Sequence, residues 1–400
     1  MTEEKLAIRG FRFSAVAAGV KQPGTTRLDF GLIVSDVPAT AAGVTTTNLV
    51  AAAPVQITRK RLERGLCQAI LVNSGNANAY TGEAGIKAAS DLTGEVARSL
   101  ALDPELVVPM STGVIGNPLP VERMRSHIPN LIASLDAEAA SDVARAMMTT
   151  DTRPKTVFLE GTLSTGLFRM LGMAKGSGMI APNMATMLAV LLTDARVERS
   201  FLQESLSAVA GRTFNRITID GDTSTNDTLV VLAGGEPSAP EVSGSASDRA
   251  AFVALLQEAC ASLARQLVMD GEGATKLVEV HVRGAVDEAS AVKVAKTIAE
   301  SPLVKTAFHG GDPNWGRIIA AAGRAGVPFD PALIELFIGD ELVVKDGALV
   351  PGDWEPAAAR VMKGREFSIF LDLKAGPAEA CFLTTDFSAE YVSINADYRS

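Results

Sequence analysis

The stretch Met173-Ala-Lys-Gly-Ser-Gly-Met-Ile-Ala-Pro-Asn-Met-Ala-Thr186 is a glycine-rich loop that runs directly into the apolar residues Met187–Leu192. Within the loop, Gly176, Gly178 and Ala181 match the G-x-G-x-x-A pattern of dinucleotide-binding loops. That fold requires a strand, then the loop, then an amphipathic helix. A short, continuous apolar run is typical of a buried strand instead. The stretch therefore excludes a dinucleotide-binding fold and predicts a buried strand after the loop.

Strand-like and helical patterns alternate over the rest of the chain. Runs rich in Val, Ile, Leu and Thr predict strands at Leu28–Val34, Ala69–Asn73, Leu106–Met110, Thr156–Leu159, Thr186–Leu192, Arg216–Asp220, Thr228–Leu232, Leu277–Val282, Ile334–Ile338 and Phe367–Leu373. Helical periodicity covers Glu83–Leu100, Val121–Leu135, Ala137–Met147, Phe201–Ala210, Asp248–Leu267 and Glu288–Ser301. These patterns predict a layered α/β protein with a mixed sheet.

The composition is that of a globular protein that binds small molecules. Of 400 residues, 47% are hydrophobic and 21% are charged, close to the globular average. The net charge of −9 and the 5% of aromatic residues argue against nucleic-acid binding, which usually needs a basic face. No apolar run approaches the roughly 18 residues of a membrane span, and the N-terminus has no signal-peptide pattern. We expect a cytoplasmic protein without nucleic-acid or membrane partners.

Cysteine and histidine are too few and too scattered to indicate a disulfide framework or a metal site. The cysteines are Cys67, Cys260 and Cys381, and the histidines are His127, His281 and His309. The sequence contains no CxxC or HExxH motif. It therefore predicts no metal, and either the chemistry does not use histidine or the chain has no catalytic role.

Two polar turns follow predicted strands. Val72–Tyr80 reads VNSGNANAY, and Met110–Gly116 reads MSTGVIG. A strand that ends in Ser-Thr-Gly leaves backbone N–H groups unpaired, and with a hydroxyl beside them these groups can form an oxyanion hole. Polar turns of this composition also occur simply to connect a strand to the next element. The residues alone leave both interpretations open.

Thr186 stands where the glycine-rich loop ends and the apolar run begins. Its hydroxyl can attack the carbonyl of Ala185, convert the peptide bond to an ester and lose that ester to water. The new N-terminal threonine then carries a nucleophile and its own base, which is a known catalytic arrangement. The ordinary pKa of an α-amine, about 7.7–8.0, leaves part of it neutral at physiological pH. The alternative is an ordinary strand threonine.

Three further segments carry acidic or polar side chains. Phe214–Asp227 has three acids and many hydroxyls after a short strand, and it predicts a hydrogen-bonded turn, with a cation site as the alternative. Asp270–Lys276 places Glu272 between two glycines before a strand. His309–Arg317 opens a helix, and N-terminal capping explains much of its composition.

Taken in order, these segments resemble the ornithine acetyltransferase / glutamate N-acetyltransferase family of arginine biosynthesis. The matching segments are VNSGNANA, STGVIG, MTTDT, MAKGSGMIAPNMATML, FNRITIDGDTSTND, DGEGATK, GDPNWGR and SINADYRS. Each is weak alone, whereas eight in order over nearly the whole chain are highly specific. The resemblance implies a layered α/β/β/α fold with two mixed sheets between helices, similar to that of self-cleaving aminopeptidases.

In that family the precursor cleaves itself before the threonine of the ATML segment. The resemblance therefore implies cleavage between Ala185 and Thr186, giving an N-terminal chain 1–185 and a C-terminal chain 186–400 with Thr186 as the nucleophile. The other site residues that it implies are Thr112 and Gly113 for the oxyanion, and Thr149, Lys175, Thr186, Glu272, Asn395 and Ser400 for substrate.

The implied activity is acetyl transfer from N-acetylornithine to glutamate through an acetyl-threonine. Lys175 is expected to contact the substrate carboxylate and Glu272 the distal ammonium, although Asn395 and Ser400 fit the same roles. The resemblance implies no cofactor, with acetyl-CoA as a conceivable second donor. It also implies a hetero-oligomer of two or more α/β pairs. The alternative is a self-cleaving amidohydrolase or aminopeptidase of similar fold, in which water accepts the acyl group.

Overall fold

The computed structural model describes residues 6–181, 187–234 and 236–397. Within these ranges the chain forms two mixed β-sheets with helices on their faces, which confirms the predicted α/β class with mixed sheets. The strands are β1 (Phe11–Val16), β2 (Phe30–Thr45), β3 (Leu66–Asn73), β4 (Val107–Ser111), β5 (Lys155–Leu163), β6 (Gly166–Lys175), β7 (Leu188–Thr193), β8 (Ile217–Thr218), β9 (Thr228–Ala233), β10 (Leu277–Ala285), β11 (Glu335–Ile338), β12 (Glu341–Lys345), β13 (Ala348–Leu349), β14 (Glu366–Asp372) and β15 (Ala378–Thr385). The helices are α1 (Ala53–Leu62), α2 (Gly82–Leu100), α3 (Val121–Ala133), α4 (Ala140–Met147), α5 (Arg199–Arg212), α6 (Ala246–Met269), α7 (Glu288–Ala299), α8 (Pro302–Gly310), α9 (Trp315–Gly323), α10 (Glu355–Lys363) and α11 (Ala389–Asp397).

The first sheet has the strand order β4-β3-β2-β9-β7-β6-β5, with β1 paired to β2. β7 and β9 are parallel to each other, and each is antiparallel to its other neighbour, β6 or β2. All residues of β7 and β9 are buried, as expected for strands covered on both faces. These two strands therefore lie in the middle of the sheet, between strands that come from the N-terminal half of the chain.

The second sheet has the strand order β13-β12-β11-β14-β10-β15-β8. Because side chains alternate along a strand, β10 presents two different faces. Val278 and Val280 lie in the apolar core that the sheet forms with α7, α8, α9 and α10. Glu279 and His281 lie on the opposite face, where they are only partly buried.

Helices cover both faces of the first sheet. Ala189 and Leu191 of β7 pack with α5 and α6, whereas Val190 and Leu192 pack with α4. α2 and α3 pack on β2, β3 and β4. α6 is long and apolar enough to cross a membrane by length and composition, but it packs on β5 and β6 and also contacts β15. α6 therefore acts as a core helix that connects the two sheets.

Candidate active site

The candidate site lies where the loops after three strands meet the segment before a fourth. β3 and β4 are parallel and end at Asn73 and Ser111, which are paired in the ladder. β6 ends at Lys175. Asn226, two residues before β9, donates from Nδ2 to the carbonyl oxygens of Ala77 (2.6 Å) and Ser111 (2.8 Å). These hydrogen bonds join the turn after β3, the end of β4 and the entrance to β9.

One cavity is formed by these segments together with the turns that carry Thr149 and Glu272. Predicted site residues that line it are Thr112, Gly113, Thr149, Lys175, Glu272 and Asn395. Residues that line it but were not predicted are Ala77, Ile115, Thr150, Gly178, Met179, Ser224, Thr225 and Asn226. The structure thus brings together residues that are as far apart in the chain as Thr112 and Asn395.

Lys175 reaches from the end of β6 to the turn after β4. Its side chain is buried, and Nζ donates to Oγ1 of Thr112 at 3.1 Å. Burial lowers the pKa of Lys175, and the carboxylate of Asp151 opposes this shift. Because Thr112 accepts from Lys175, its own hydroxyl proton remains available to another acceptor. A cation and a hydroxyl donor therefore lie side by side in the cavity.

The two polar turns pack directly against each other. The N–H of Thr112 donates to the carbonyl of Asn73 at 3.0 Å, so an oxyanion contact from Thr112 must come from its hydroxyl. Gly113 has φ +130°, and a Cβ there would lie 2.4 Å from the carbonyl carbon of Gly75. A side chain at position 113 would therefore force the turns apart, and only glycine fits.

A buried ion-pair network supports the loop after Lys175. Lys155 Nζ donates to Asp151 Oδ1 at 2.6 Å and to Asp270 Oδ2 at 2.5 Å. The same Asp151 oxygen accepts from the N–H of Gly176 at 2.6 Å. Burial raises the pKa of Asp151, but the charges of Lys175 and Lys155 outweigh it and hold this pKa at about 2. The network ties β5, β6 and the turn at Asp270 to one another.

Thr149 and Thr150 lie in a turn that is held on several sides. The N–H of Thr149 donates to Asp151 Oδ2 at 2.9 Å, and its carbonyl accepts from Arg27 Nη2 at 2.9 Å. The hydroxyls of Thr150 and Ser177 are 2.7 Å apart. These hydrogen bonds fix the backbone of the turn, and Thr149 and Thr150 line the cavity.

Glu272 and Asn395 also line the cavity and contact each other. Asn395, on α11, donates from Nδ2 to Glu272 Oε2 at 2.8 Å, and the N–H of Glu272 donates to the carbonyl of Ser177 at 2.7 Å. A Cβ at Gly178 would lie 2.3 Å from Glu272 Oε2. The glycine at 178 therefore allows the glycine-rich loop to approach the carboxylate closely, and the C-terminal helix completes the site.

The segment before β9 contains residues that the sequence did not identify as functional. The predicted hydrogen-bonded turn is present, since the carboxylate of Asp220 accepts from the N–H groups of Met179 (2.5 Å) and Ile180 (2.8 Å). Asp227 is buried, and burial raises the pKa of its carboxyl well above the ordinary value, against hydrogen bonds from the N–H of Met187 and from Ser224. Its Oδ2 has no hydrogen-bond partner within the described ranges.

Three predicted residues lie outside the described ranges: Ala185, Thr186 and Ser400. Cleavage between 185 and 186, the division into chains 1–185 and 186–400, and the nucleophile therefore stay predictions. The described residues on either side of this segment are Ala181 and Met187. Met187 donates its N–H to the buried carboxyl of Asp227.

Comparisons with known proteins identify the family of this chain. The sequence profile of the ArgJ family matches residues 12–400. The arginine biosynthesis bifunctional protein ArgJ of Geobacter sulfurreducens is 47% identical over 98% of this chain and 100% of that protein. The protein of the same name from Desulfotalea psychrophila is 48% identical over 99% and 100%. A crystal structure of ArgJ from Bacillus halodurans is 42% identical and covers 51% of this chain and 96% of that chain, with a TM-score of 0.49.

Proposed function

The chain belongs to the ArgJ family and is an acetyltransferase of arginine biosynthesis, and we propose that the cavity described above transfers an acetyl group from N-acetylornithine to glutamate. The observation that carries this proposal is the convergence of six predicted side chains or backbone groups on one cavity. They come from the turn after β4, the end of β6, the turns at Thr149 and Glu272, and α11. The family does not favour the alternative, a self-cleaving amidohydrolase or aminopeptidase.

The nucleophile in this proposal is Thr186, exposed as an N-terminal residue by cleavage after Ala185. Its Oγ attacks the acetyl carbonyl carbon, and its α-amine takes the hydroxyl proton. The carbon–nitrogen bond then breaks, and the amine returns the proton to the leaving nitrogen of ornithine. The α-amine of glutamate attacks the resulting acetyl ester in the second half of the cycle, which releases Thr186 and N-acetylglutamate. The proposed steps use only groups of the protein, so we propose that no cofactor is required.

The oxyanion that forms in each half of the cycle is assigned to the turn after β4. The Thr112 hydroxyl and the Gly113 N–H are the proposed donors. Support comes from the Lys175 ammonium, which occupies an acceptor site of the Thr112 oxygen and so directs the hydroxyl proton elsewhere. The nearby positive charge also favours a developing negative charge.

Two charged side chains that line the cavity, Lys175 and Glu272, suit the two ends of the substrate. Glu272 offers a carboxylate held by Asn395, and we assign the distal ammonium of N-acetylornithine to this pair. Lys175 offers the only ammonium among the described residues that line the cavity, and we assign a substrate carboxylate to it. Thr149 and Ser400 complete the proposed substrate contacts. A cytoplasmic location and an assembly of two or more α/β pairs stay predictions.

Trapping of the acetyl group tests the proposal. Incubation with N-acetylornithine in the absence of glutamate is expected to add about 42 Da to the C-terminal fragment, because the first half of the cycle leaves an acetyl ester on the enzyme. Intact mass spectrometry measures the change, and peptide mapping locates it. Addition of glutamate is expected to remove the acetyl group as N-acetylglutamate. If the acetyl group were released as free acetate and none were transferred to glutamate, the result would support the hydrolase alternative and contradict the proposal.

Thr112→Val tests the oxyanion assignment. The substitution keeps the shape of the side chain but removes the hydroxyl donor, and we expect kcat to fall on the order of 10²–10³-fold, as for one lost oxyanion donor. Thr112→Ser, which retains a hydroxyl, is the matched control and should keep most of the activity. A wild-type kcat in Thr112→Val would remove Thr112 from the mechanism.

The preferred acetyl donor is a further part of the proposal. The related proteins are named bifunctional, so both N-acetylornithine and acetyl-CoA need to be assayed with glutamate as acceptor. The sequence has no motif for an adenine or a pyrophosphate, and a net charge of −9 does not attract an anionic donor. We therefore expect a higher kcat/KM for N-acetylornithine, with acetyl-CoA a slower donor at most. Comparable values for the two donors would contradict this expectation.

A further inference from the structure

Three side chains on the second sheet direct one ligand atom each towards a common point. Glu279 Oε2 lies 3.1 Å from His281 Nε2, and Cys381 Sγ lies 3.7 Å from the same nitrogen. All three atoms lie within 4.8 Å of one another. None of these residues lines the acetyl-transfer cavity, so the cluster is separate from the site already described.

Sheet geometry produces this cluster. Glu279 and His281 are two residues apart on β10 and therefore share a face of the sheet. Cys381 on β15 is the direct antiparallel partner of His281. The sequence predicted no metal site because His281 and Cys381 are 100 residues apart, and their pairing appears only with the strand register.

The distances match the edges of a tetrahedral zinc site. Zinc binds histidine nitrogen and carboxylate oxygen at roughly 2.0–2.2 Å and cysteine sulfur at about 2.3 Å, which gives ligand–ligand edges of about 3.4 Å for N–O and about 3.6 Å for N–S. The observed distances are 3.1 and 3.7 Å. These two distances lie within a few tenths of an ångström of the zinc edges, and the third pair, a Glu279 carboxylate oxygen and Cys381 Sγ, lies within 4.8 Å.

The groups around the cluster hold the ligands in place. Arg265 Nη1 donates to Glu279 Oε1 at 3.0 Å, which leaves Oε2 directed towards His281. The His281 ring stacks on Phe370 with ring centroids 4.6 Å apart, so its plane is fixed. Such contacts orient the ligand side chains before a metal binds.

A catalytic Cys–His–acid triad does not explain the cluster. In a triad, the acid contacts one ring nitrogen and the nucleophile contacts the other. Here Glu279 and Cys381 both contact Nε2 of His281. The three ligand atoms are instead grouped within 4.8 Å of one another.

We propose that Glu279, His281 and Cys381 bind one Zn²⁺ ion per chain, with water in the fourth position. The soft thiolate and the imidazole select zinc over the hard cations Mg²⁺ and Ca²⁺. His281 and Cys381, but not Glu279, line a cavity of about 520 Å³ together with Arg212, Arg216, Arg283, Glu288 and Glu379, so these two ligands are accessible to solvent. Zinc binds the deprotonated thiolate and the neutral imidazole, so its affinity depends on pH.

Reactivity of the thiol tests the proposal on the unmodified protein. Cys67 and Cys260 are buried, whereas Cys381 is partly exposed. After treatment with a chelator, we expect the native protein to react rapidly with a coloured disulfide reagent at one thiol. One equivalent of Zn²⁺ is expected to slow that reaction by at least about tenfold, because a metal-bound thiolate is a poorer nucleophile. An unchanged reaction rate would overturn the proposal.

Metal binding itself gives the second measurement. Competition with a chromophoric chelator is expected to show one Zn²⁺ per chain, and Co²⁺ is expected to show a thiolate-to-metal charge-transfer band. Cys381→Ser and His281→Gln should each weaken Zn²⁺ binding on the order of 10²-fold, since three ligands become two. His127→Gln, which removes a histidine outside the cluster, is the control. Equal affinity in all these variants, or no bound zinc at all, would contradict the site.

Discussion

Thr186→Ala is expected to leave the purified protein as a single chain of 41.7 kDa, whereas we expect the unaltered protein to run as two fragments, residues 1–185 and 186–400. The variant lacks the hydroxyl that we propose attacks the carbonyl of Ala185, so the ester would not form. Acetyl transfer should fall on the order of 10⁴-fold or more, because the variant lacks both the nucleophile and the free α-amine that acts as its base. Denaturing gel electrophoresis and a glutamate acetylation assay measure the two effects.

Thr186→Ser is the matched control for this experiment. It retains a hydroxyl and is expected to cleave, at a reduced rate, and to keep part of the activity. Sequencing of the C-terminal fragment from the unaltered protein should read Thr-Met-Leu-Ala. A fragment that begins at any other residue, or full activity in Thr186→Ala, would show that the nucleophile is wrongly assigned.

Lys155→Met is expected to lower the free energy of unfolding by about 3–5 kcal/mol. Lys155 is fully buried and is the cation between Asp151 and Asp270. Removing one partner of a buried pair leaves charge without compensation in a medium of low dielectric constant, which is far more costly than losing an exposed pair. Urea unfolding at a fixed protein concentration measures the change. Lys60→Met removes an exposed lysine and should change the free energy by no more than about 0.5 kcal/mol.

The dependence of stability on pH is a second test of the same ion-pair network. The pKa of Asp151 is held at about 2 in the folded protein, below the ordinary value of about 3.9 for an unfolded chain. A depressed folded-state pKa contributes stability that is fully present above the unfolded value and is lost as the pH falls towards the folded value. The Asp151 contribution should therefore fade between about pH 4 and pH 2. If Lys155→Met and the unaltered protein had equal free energies of unfolding at neutral pH, the ion-pair network would not stabilise the fold as proposed.

Strands and helices with strong periodic patterns were predicted from the sequence with small errors at their ends. The helix predicted over Glu83–Leu100 is Gly82–Leu100, and the strand predicted over Thr228–Leu232 is Thr228–Ala233. In both cases local pattern and tertiary burial agree. Central strands covered on two faces and amphipathic helices carry this signal in their own residues.

β6 was not predicted, and its residues explain why. The strand Gly166–Lys175 contains two glycines and an exposed Arg169, so no regular alternation is visible. Gly172 is required by neighbours far along the chain, because a Cβ there would lie 2.8 Å from Val157 and 2.9 Å from Leu263. Packing of this kind depends on the tertiary structure and overrides the low strand propensity of glycine.

At the site, too, residues in recognisable motifs were predicted, whereas residues that matter through distant contacts were missed. Resemblance of short motifs predicted Thr112, Lys175 and Glu272, and the structure places them in one cavity. Asp151 and Asn226 were missed. Their importance arises from contacts with Lys155 and with the carbonyls of Ala77 and Ser111, and no spacing rule in a single sequence shows which polar turn residues will meet.

The central position of β7 and β9 has a consequence for a chain that is cut before Thr186. Both strands would belong to the C-terminal fragment, yet each is hydrogen-bonded to a strand of the N-terminal fragment, β6 or β2. The fragments therefore cannot dissociate without breaking the sheet along two ladders, and dilution should not separate them. After denaturation, however, the two fragments would have to reassociate before they refold. Unfolding would therefore become a bimolecular equilibrium, and the midpoint of the unfolding transition would rise with protein concentration. The uncut Thr186→Ala protein would show no such dependence.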